Sequence, residues 1–141
     1  LRIVNAADNE TMMDLAVNGA VTIYYDNSAK LATASGGVSV TGALTASGNV
    51  IAYSDEKLKD NIETIDNALD KVSQMRGVTF QRKDTRKKGS GVIAQELEKV
   101  APELIHDDGE LKGVAYGNIT GYLIEAVKEL KAEVEELKKD K

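Results

Sequence analysis

The segment YSDEKLK, residues 53–59, raises the main chemical question in this sequence. It stands where a chain rich in Gly, Ser, Thr and Ala changes to one rich in Lys, Glu and Asp. Ser54 could cap a following helix by accepting hydrogen bonds from backbone amides, with Asp55 and Glu56 favouring the positive end of the helix dipole. Its hydroxyl could instead attack the chain, if a nearby base takes its proton. The local sequence leaves both interpretations open.

Three other polar stretches have simpler explanations. Residues 106–108 (HDD) offer metal ligands, but the adjacent Gly109 favours a hairpin turn. The basic run 82–88 (RKDTRKK) has no interleaved aromatic residues, which favours a solvated loop over a nucleic-acid site; a contact with a neighbouring subunit is the alternative. Residues 89–91 (GSG) do not have the Gly-Lys-Ser/Thr of a phosphate loop and predict a hinge or turn. We predict no metal site and no cofactor.

Composition narrows the class of protein. Aromatic residues make up only 4% of the 141 residues, with no Trp and a single Phe, so a large aromatic core is excluded and we expect an oligomer. The net charge of -5 disfavours nucleic acid and anionic lipid as partners. No apolar run approaches the roughly 18 residues of a membrane span, and the absence of Cys excludes thiol chemistry. Because the chain begins with Leu1, we expect it to be the end of a longer protein.

The first 53 residues predict short strands and turns. Residues 38–53 (VSVTGALTASGNVIAY) place apolar or very small residues at every even position, which is the period of a strand with one buried face. Residues 20–25 (AVTIYY) repeat the strand pattern between turn signals at Asn18-Gly19 and Asp26-Asn27. A face lined with Gly and Ala suits the close approach of identical chains about an axis. We therefore predict an ordered β-stalk rather than a flexible linker.

Helical spacing begins after Ser54. Apolar residues from Ile62 to Met75 recur at intervals of three and four and predict an amphipathic helix that stops near Gly77. A short strand at 78–82, a helix at 93–100 and a hairpin around Asp108-Gly109 follow. The predicted class is α+β: a β-rich stalk, then a small α+β domain that ends in a long helix.

The C-terminal segment has the heptad pattern of a coiled coil. Thr120, Val127 and Val134 occupy a positions. Leu123, Leu130 and Leu137 occupy d positions. β-Branched residues at a with Leu at d favour two strands, whereas Ile124 and Ala126 widen the apolar stripe and favour more. The sequence predicts a coiled coil without fixing the number of chains.

From Ser54 to the end, the chain resembles the peptidase family S74 domain, the intramolecular chaperone at the C-terminus of phage tail fibres and tailspikes such as endosialidases. The resemblance rests on three motifs in the same order, and the Gly/Thr-rich stretch from Gly36 to Ala52 resembles the fibre that precedes such domains. The motifs are SDEKLKDNI at 54–62, GVIAQELEKVAPELI at 91–105 and VAYGNITGYLIEAVKELKAEVEEL at 114–137.

The resemblance implies autoproteolysis between Tyr53 and Ser54, with Ser54 as nucleophile and Lys59 as general base. Lys57 could add positive field, and Asp55 is a further auxiliary candidate. In a regular helix Ser54 would share a face with Lys57 rather than Lys59, so the predicted dyad requires a turn or an extended segment, or a lysine from a neighbouring subunit. Lys57 remains the alternative base.

The resemblance also implies the organisation of the protein. Residues 1–53 would be the end of a fibre stalk in the virion, and residues 54–141 would form a homotrimeric chaperone whose client and substrate is its own N-terminal fibre segment. This domain would act in the cytoplasm of the infected host and leave after cleavage. The rival interpretation is a trimerisation cap that does not cleave and stays attached.

Overall fold

The computed structural model describes residues 1–139, and its backbone divides into two compact units. The first unit comprises Leu1–Asp55 and the second begins at Glu56. Strands make up the first unit, and helices and short hairpins make up the second. The predicted α+β class is confirmed.

The first unit contains a five-stranded antiparallel meander in which each strand pairs with the next along the chain. Its turns use residues that tolerate a left-handed backbone: Asn18 has φ 58°, and Asp26 and Asn27 have φ 49° and 53°. Two successive positive φ values suit the right-handed twist of a tight hairpin. The turns predicted at these positions are confirmed. The strands are β1 Arg2–Val4, β2 Thr11–Leu15, β3 Val21–Tyr25, β4 Ser28–Ala34 and β5 Gly37–Val40.

The strand predicted over residues 38–53 is much shorter than its sequence pattern. β5 ends at Val40, and residues 41–53 form no strand and are exposed. A strand needs a neighbour for its backbone N–H and C=O groups, and alternation in the sequence cannot supply one. The prediction of a strand through Tyr53 is wrong for the single chain.

The second unit combines three α-helices with two β-hairpins. Its elements are α1 Ala68–Gln74, β6 Val78–Gln81, β7 Lys88–Gly91, α2 Ala94–Leu97, β8 Ile105–Asp107, β9 Lys112–Val114 and α3 Ile119–Lys139. The β8–β9 turn confirms the hairpin predicted at Asp108-Gly109, because Asp107 and Asp108 accept hydrogen bonds from the turn amides. Within residues 1–139, no cluster of three or more His, Cys, Asp or Glu side chains could hold a metal ion.

The helix predicted from Ile62 to Met75 is also shorter than expected. Asn61 and Asn67 have φ 52° and 49°, a left-handed backbone that no α-helix interior adopts, so α1 begins only at Ala68. The spacing correctly predicts that Ile65 packs against the core. It does not predict the exposure of Ile62, which is 64% exposed.

The hinge predicted at residues 89–91 is wrong, because these residues belong to β7. Gly89 stands opposite Phe80 of β6, and a Cβ atom there would lie 3.0 Å from the Phe80 ring. The glycine therefore makes room for an aromatic ring across the hairpin. The basic run mainly forms the exposed turn before β7, where the Arg82 guanidinium binds Asp84 at 2.6 Å.

The core of the second unit is small and lies against one face of α3. Its buried residues are Leu97, Ala101, Leu104 and Tyr122. Partly buried side chains from α1, the hairpins and the start of α3 surround this cluster. The predicted helix at 93–100 contributes to it as the shorter α2 and the turn that follows.

A second face of α3 is apolar and exposed in the single chain. Among its a and d side chains, Val127 is 65% exposed, Leu130 48% and Leu137 66%. Across residues 1–139, no helix has both the length and the apolar character to cross a membrane. The predicted coiled coil and trimer remain predictions, since they concern contacts between chains.

Candidate functional site

The predicted cleavage segment has an irregular backbone followed by one tight turn. Tyr53, Ser54 and Asp55 adopt no helix or strand, and Glu56–Leu58 form a single 3₁₀ turn. The backbone N–H of Lys59 donates to the carbonyl of Glu56 at 3.0 Å and closes this turn.

Ser54 does not cap an α-helix. The helix that it was expected to start is not formed, and α1 begins only at Ala68. The prediction of an α-helix that begins just after Ser54 is therefore wrong. The same irregular backbone removes the objection to Lys59, because that objection applied to a regular helical register.

The whole segment is accessible to solvent in the single chain. Residues 51–60 are all exposed, and Tyr53, on the amino side of the predicted scissile bond, is 94% exposed. The structure thus gives an accessible Tyr53–Ser54 peptide bond.

The N-terminus of α1 is capped by a side chain from α3. The backbone N–H groups of Ala68 and Leu69 donate to the two carboxylate oxygens of Glu129 at 2.9 and 2.7 Å. The N-cap residue itself, Asn67, makes no side-chain capping bond. Glu129 therefore satisfies the orphan amides of α1 and favours the positive end of its dipole.

Further contacts fix the same junction. The Cδ1 atom of Ile65 lies 3.5 Å from the position of a Cβ on Gly121 of α3. Lys71 forms an ion pair with Asp66 at 3.2 Å, and this ammonium lowers the pKa of the Asp66 carboxyl. The last residues before α1 thus have defined positions relative to α3.

The sequence analysis did not identify Glu129 or its role. The carboxylate lies 61 residues from Ala68, so no capping motif within either segment records the contact. Glu129 occupies a c position of the heptad pattern, which predicts only a solvated outer residue. Its role emerges only from the packing of α1 on α3.

The second resemblance motif, residues 91–105, builds the core and its polar border. The Arg76 guanidinium binds both oxygens of Glu96 at 3.0 and 2.5 Å, which holds the pKa of that carboxyl below its ordinary value. The Tyr122 hydroxyl donates to Glu103, and burial with this hydrogen bond raises the pKa of Tyr122 to about 12. These residues shape the domain.

Comparison with known protein families finds a match for the first part of the second unit. Residues 54–106 match peptidase family S74, described as the chaperone of endosialidase. This part of the chain is similar to that family. The match begins at Ser54 itself, the residue on the carboxyl side of the predicted scissile bond.

Curated relatives of this chain are phage fibre proteins. The chain is 30% identical to the long tail fiber protein Gp37 of Enterobacteria phage K3 over 95% of its own length and 12% of that protein. It is 35% identical to Gp37 of Enterobacteria phage T2 over 63% of its length and 7% of that protein. It is 31% identical to Gp37 of Enterobacteria phage M1 over 64% of its length and 40% of that protein. The chain therefore spans less than half the length of these relatives.

Proposed function

We propose that this chain is the C-terminal portion of a phage tail fibre whose S74 domain assembles the fibre and then cleaves itself off between Tyr53 and Ser54. The observation that carries the proposal is the start of the family match at Ser54, within an irregular and exposed segment. The tail-fibre names of its relatives support the fibre role.

The proposed chemistry uses Ser54 as nucleophile and Lys59 as base. Lys59 takes the proton of the Ser54 hydroxyl, and the oxygen attacks the Tyr53 carbonyl carbon through a five-membered ring. The C–N bond breaks as the Ser54 nitrogen takes up a proton, which leaves an ester. Water then hydrolyses this ester, releases a Tyr53 carboxylate and restores the Ser54 hydroxyl. Hydrogen-bond donors must stabilise the oxyanion in both steps.

Assembly is the proposed trigger for cleavage. A lysine becomes an effective base near neutral pH when burial or neighbouring positive charge lowers its pKa. Lys59 is exposed in the single chain, so other copies must supply the environment. Three copies joined through the exposed a and d residues of α3 would provide it, and the stalk strands would assemble in register beside it.

Cleavage makes assembly kinetically irreversible. Once the chaperone has left, it can no longer assist unfolding and refolding of the stalk, so the stalk is stabilised by the barrier to unfolding. The domain would complete this step in the infected host cytoplasm, and the stalk would remain in the virion.

Intact mass spectrometry of the denatured protein tests cleavage directly. The unaltered chain should yield one fragment ending at Tyr53 and one beginning at Ser54, whereas Ser54→Ala should stay whole. Ser47→Ala is the matched control, because it removes a hydroxyl from the same Ser-rich stretch and should still be cut. An unaltered chain of full mass would contradict the peptidase and leave the attached trimerisation cap.

A further inference from the structure

The sheet of the first unit carries one continuous row of apolar side chains. Ile3 pairs with Met13, Met13 with Ile23, Ile23 with Leu31, and Leu31 with Val40. Directly paired residues project from the same face, so these five side chains form one row across all five strands. At a strand spacing of about 4.8 Å, this apolar row is about 19 Å wide.

The neighbouring row has the opposite character. Arg2, Asp14, Thr22, Ala32 and Ser39 pair in the same way across the five strands. Because successive residues of a strand alternate between faces, this polar row lies on the other face of the sheet. The sheet therefore has one apolar and one largely polar face.

The apolar row is open to solvent in the single chain. Ile3 is 45% exposed, Ile23 40% and Val40 40%, and Leu31 is 36% exposed. A sheet that is apolar on one face normally buries that face against a second layer. Burial of exposed apolar side chains is favourable, so the row is a driving force for association.

The charge pattern favours identical copies as the second layer. Close to the axis of a three-fold assembly each residue lies near its own counterparts, so a charge there would face like charges. The apolar row contains no charged residue, while Arg2 and Asp14 lie in the polar row. The exposed a and d residues of α3 offer a second unpartnered apolar surface, which the proposed function also assigns to contacts between copies.

We propose that the apolar row is the surface through which the stalks of three copies pack around a common axis, with the polar row facing solvent. This inference rests on the proposed homotrimer and adds which face of the stalk each copy presents. It assigns Ile23 and Leu31, in neighbouring central strands, to the interior of the assembly.

Single cysteines test this orientation, because the natural chain contains no Cys. Ile23→Cys and Thr22→Cys are made separately in the Ser54→Ala chain, and labelling by a water-soluble maleimide is timed in the native protein. We expect the residue at 23 to react roughly tenfold slower or more than the residue at 22, since reaching an interface position requires local opening and about 1.4 kcal/mol is a tenfold change. A lone chain would show no such protection, because Ile23 is exposed and Thr22 is partly buried.

Light scattering on the same samples separates this inference from the proposed function. An assembled protein whose residue at 23 reacts as fast as the residue at 22 would overturn the orientation and leave the homotrimer intact. A monomeric Ser54→Ala chain would overturn both. If Ile23→Cys alone prevents assembly, Val40→Cys against Ser39→Cys gives the same comparison in β5.

Discussion

At the residue scale, the proposed cleavage depends on a hydroxyl and an amine in one short segment. Ser54 and Lys59 lie on either side of a single 3₁₀ turn, in a stretch that no α-helix constrains. Their roles as nucleophile and base stay predictions. Substitution of the two candidate lysines decides which of them takes the proton.

Lys59→Ala should reduce the rate of cleavage by at least roughly a hundredfold, because general-base catalysis typically contributes 10²–10⁴-fold. Lys57→Ala is the matched control, since it removes the same side chain from the same turn and should slow cleavage much less. The time course of fragment appearance by intact mass measures both. Normal cleavage in Lys59→Ala would show that another group is the base.

The raised pKa of Tyr122 predicts that the folded second unit loses stability in alkali. Its pKa is raised to about 12 by burial and by the Glu103 hydrogen bond, whereas the unfolded tyrosine titrates near 10. Between these values the unfolded chain releases this proton and the folded chain keeps it, so folding stability falls as pH rises from about 10 to about 12. Tyr122→Phe should flatten this part of the curve of melting temperature against pH. An unchanged slope would contradict the assignment.

At the scale of elements, the cap on α1 shows why some features could be predicted from sequence and others could not. Turn residues such as Asp26 and Asn27 adopt their positive φ for local reasons, so the hairpins were predictable. The positive φ values of Asn61 and Asn67 were not evident from a sequence with helical spacing, and they make α1 shorter than the predicted helix. Glu129 acts on residues far away in sequence, and only the packing of α1 against α3 places it there.

Glu129→Ala should lower the free energy of unfolding of the second unit by about 2 kcal/mol, because two helix amides lose charged acceptors. Glu136→Ala is the matched control, being the same residue one heptad later on an exposed part of α3. It should change stability by no more than about 0.5 kcal/mol. Urea unfolding followed by circular dichroism gives both values. Equal losses in the two variants would rule out the capping role.

Two sequence patterns could not be tested in a single chain: the alternation in residues 41–53 and the heptad of α3. Both patterns describe surfaces that require a partner, so the first forms no strand and the second stays exposed. The sequence could indicate that chains associate, and the a and d residues could indicate where. The proposed roles of Ser54 and Lys59 stay predictions, because we expect them to depend on other copies of the chain.

At the scale of the whole molecule, association through α3 should control cleavage. Leu130→Asp places a charge in the a and d seam and should leave the chain monomeric and uncut. Ala132→Asp adds the same charge at an exposed f position and should leave both assembly and cleavage unchanged. Light scattering and intact mass report the two properties. Efficient cleavage in a monomeric Leu130→Asp chain would contradict the assembly trigger.

The most direct test measures the masses of the polypeptides that make up each assembled species. The unaltered protein is separated by size with light scattering on the eluate, and every peak is then denatured and its components weighed. We predict that the trimeric peak contains chains cut between Tyr53 and Ser54. Uncut chains should occur only in a monomeric peak. A trimeric peak composed of full-length chains would contradict it.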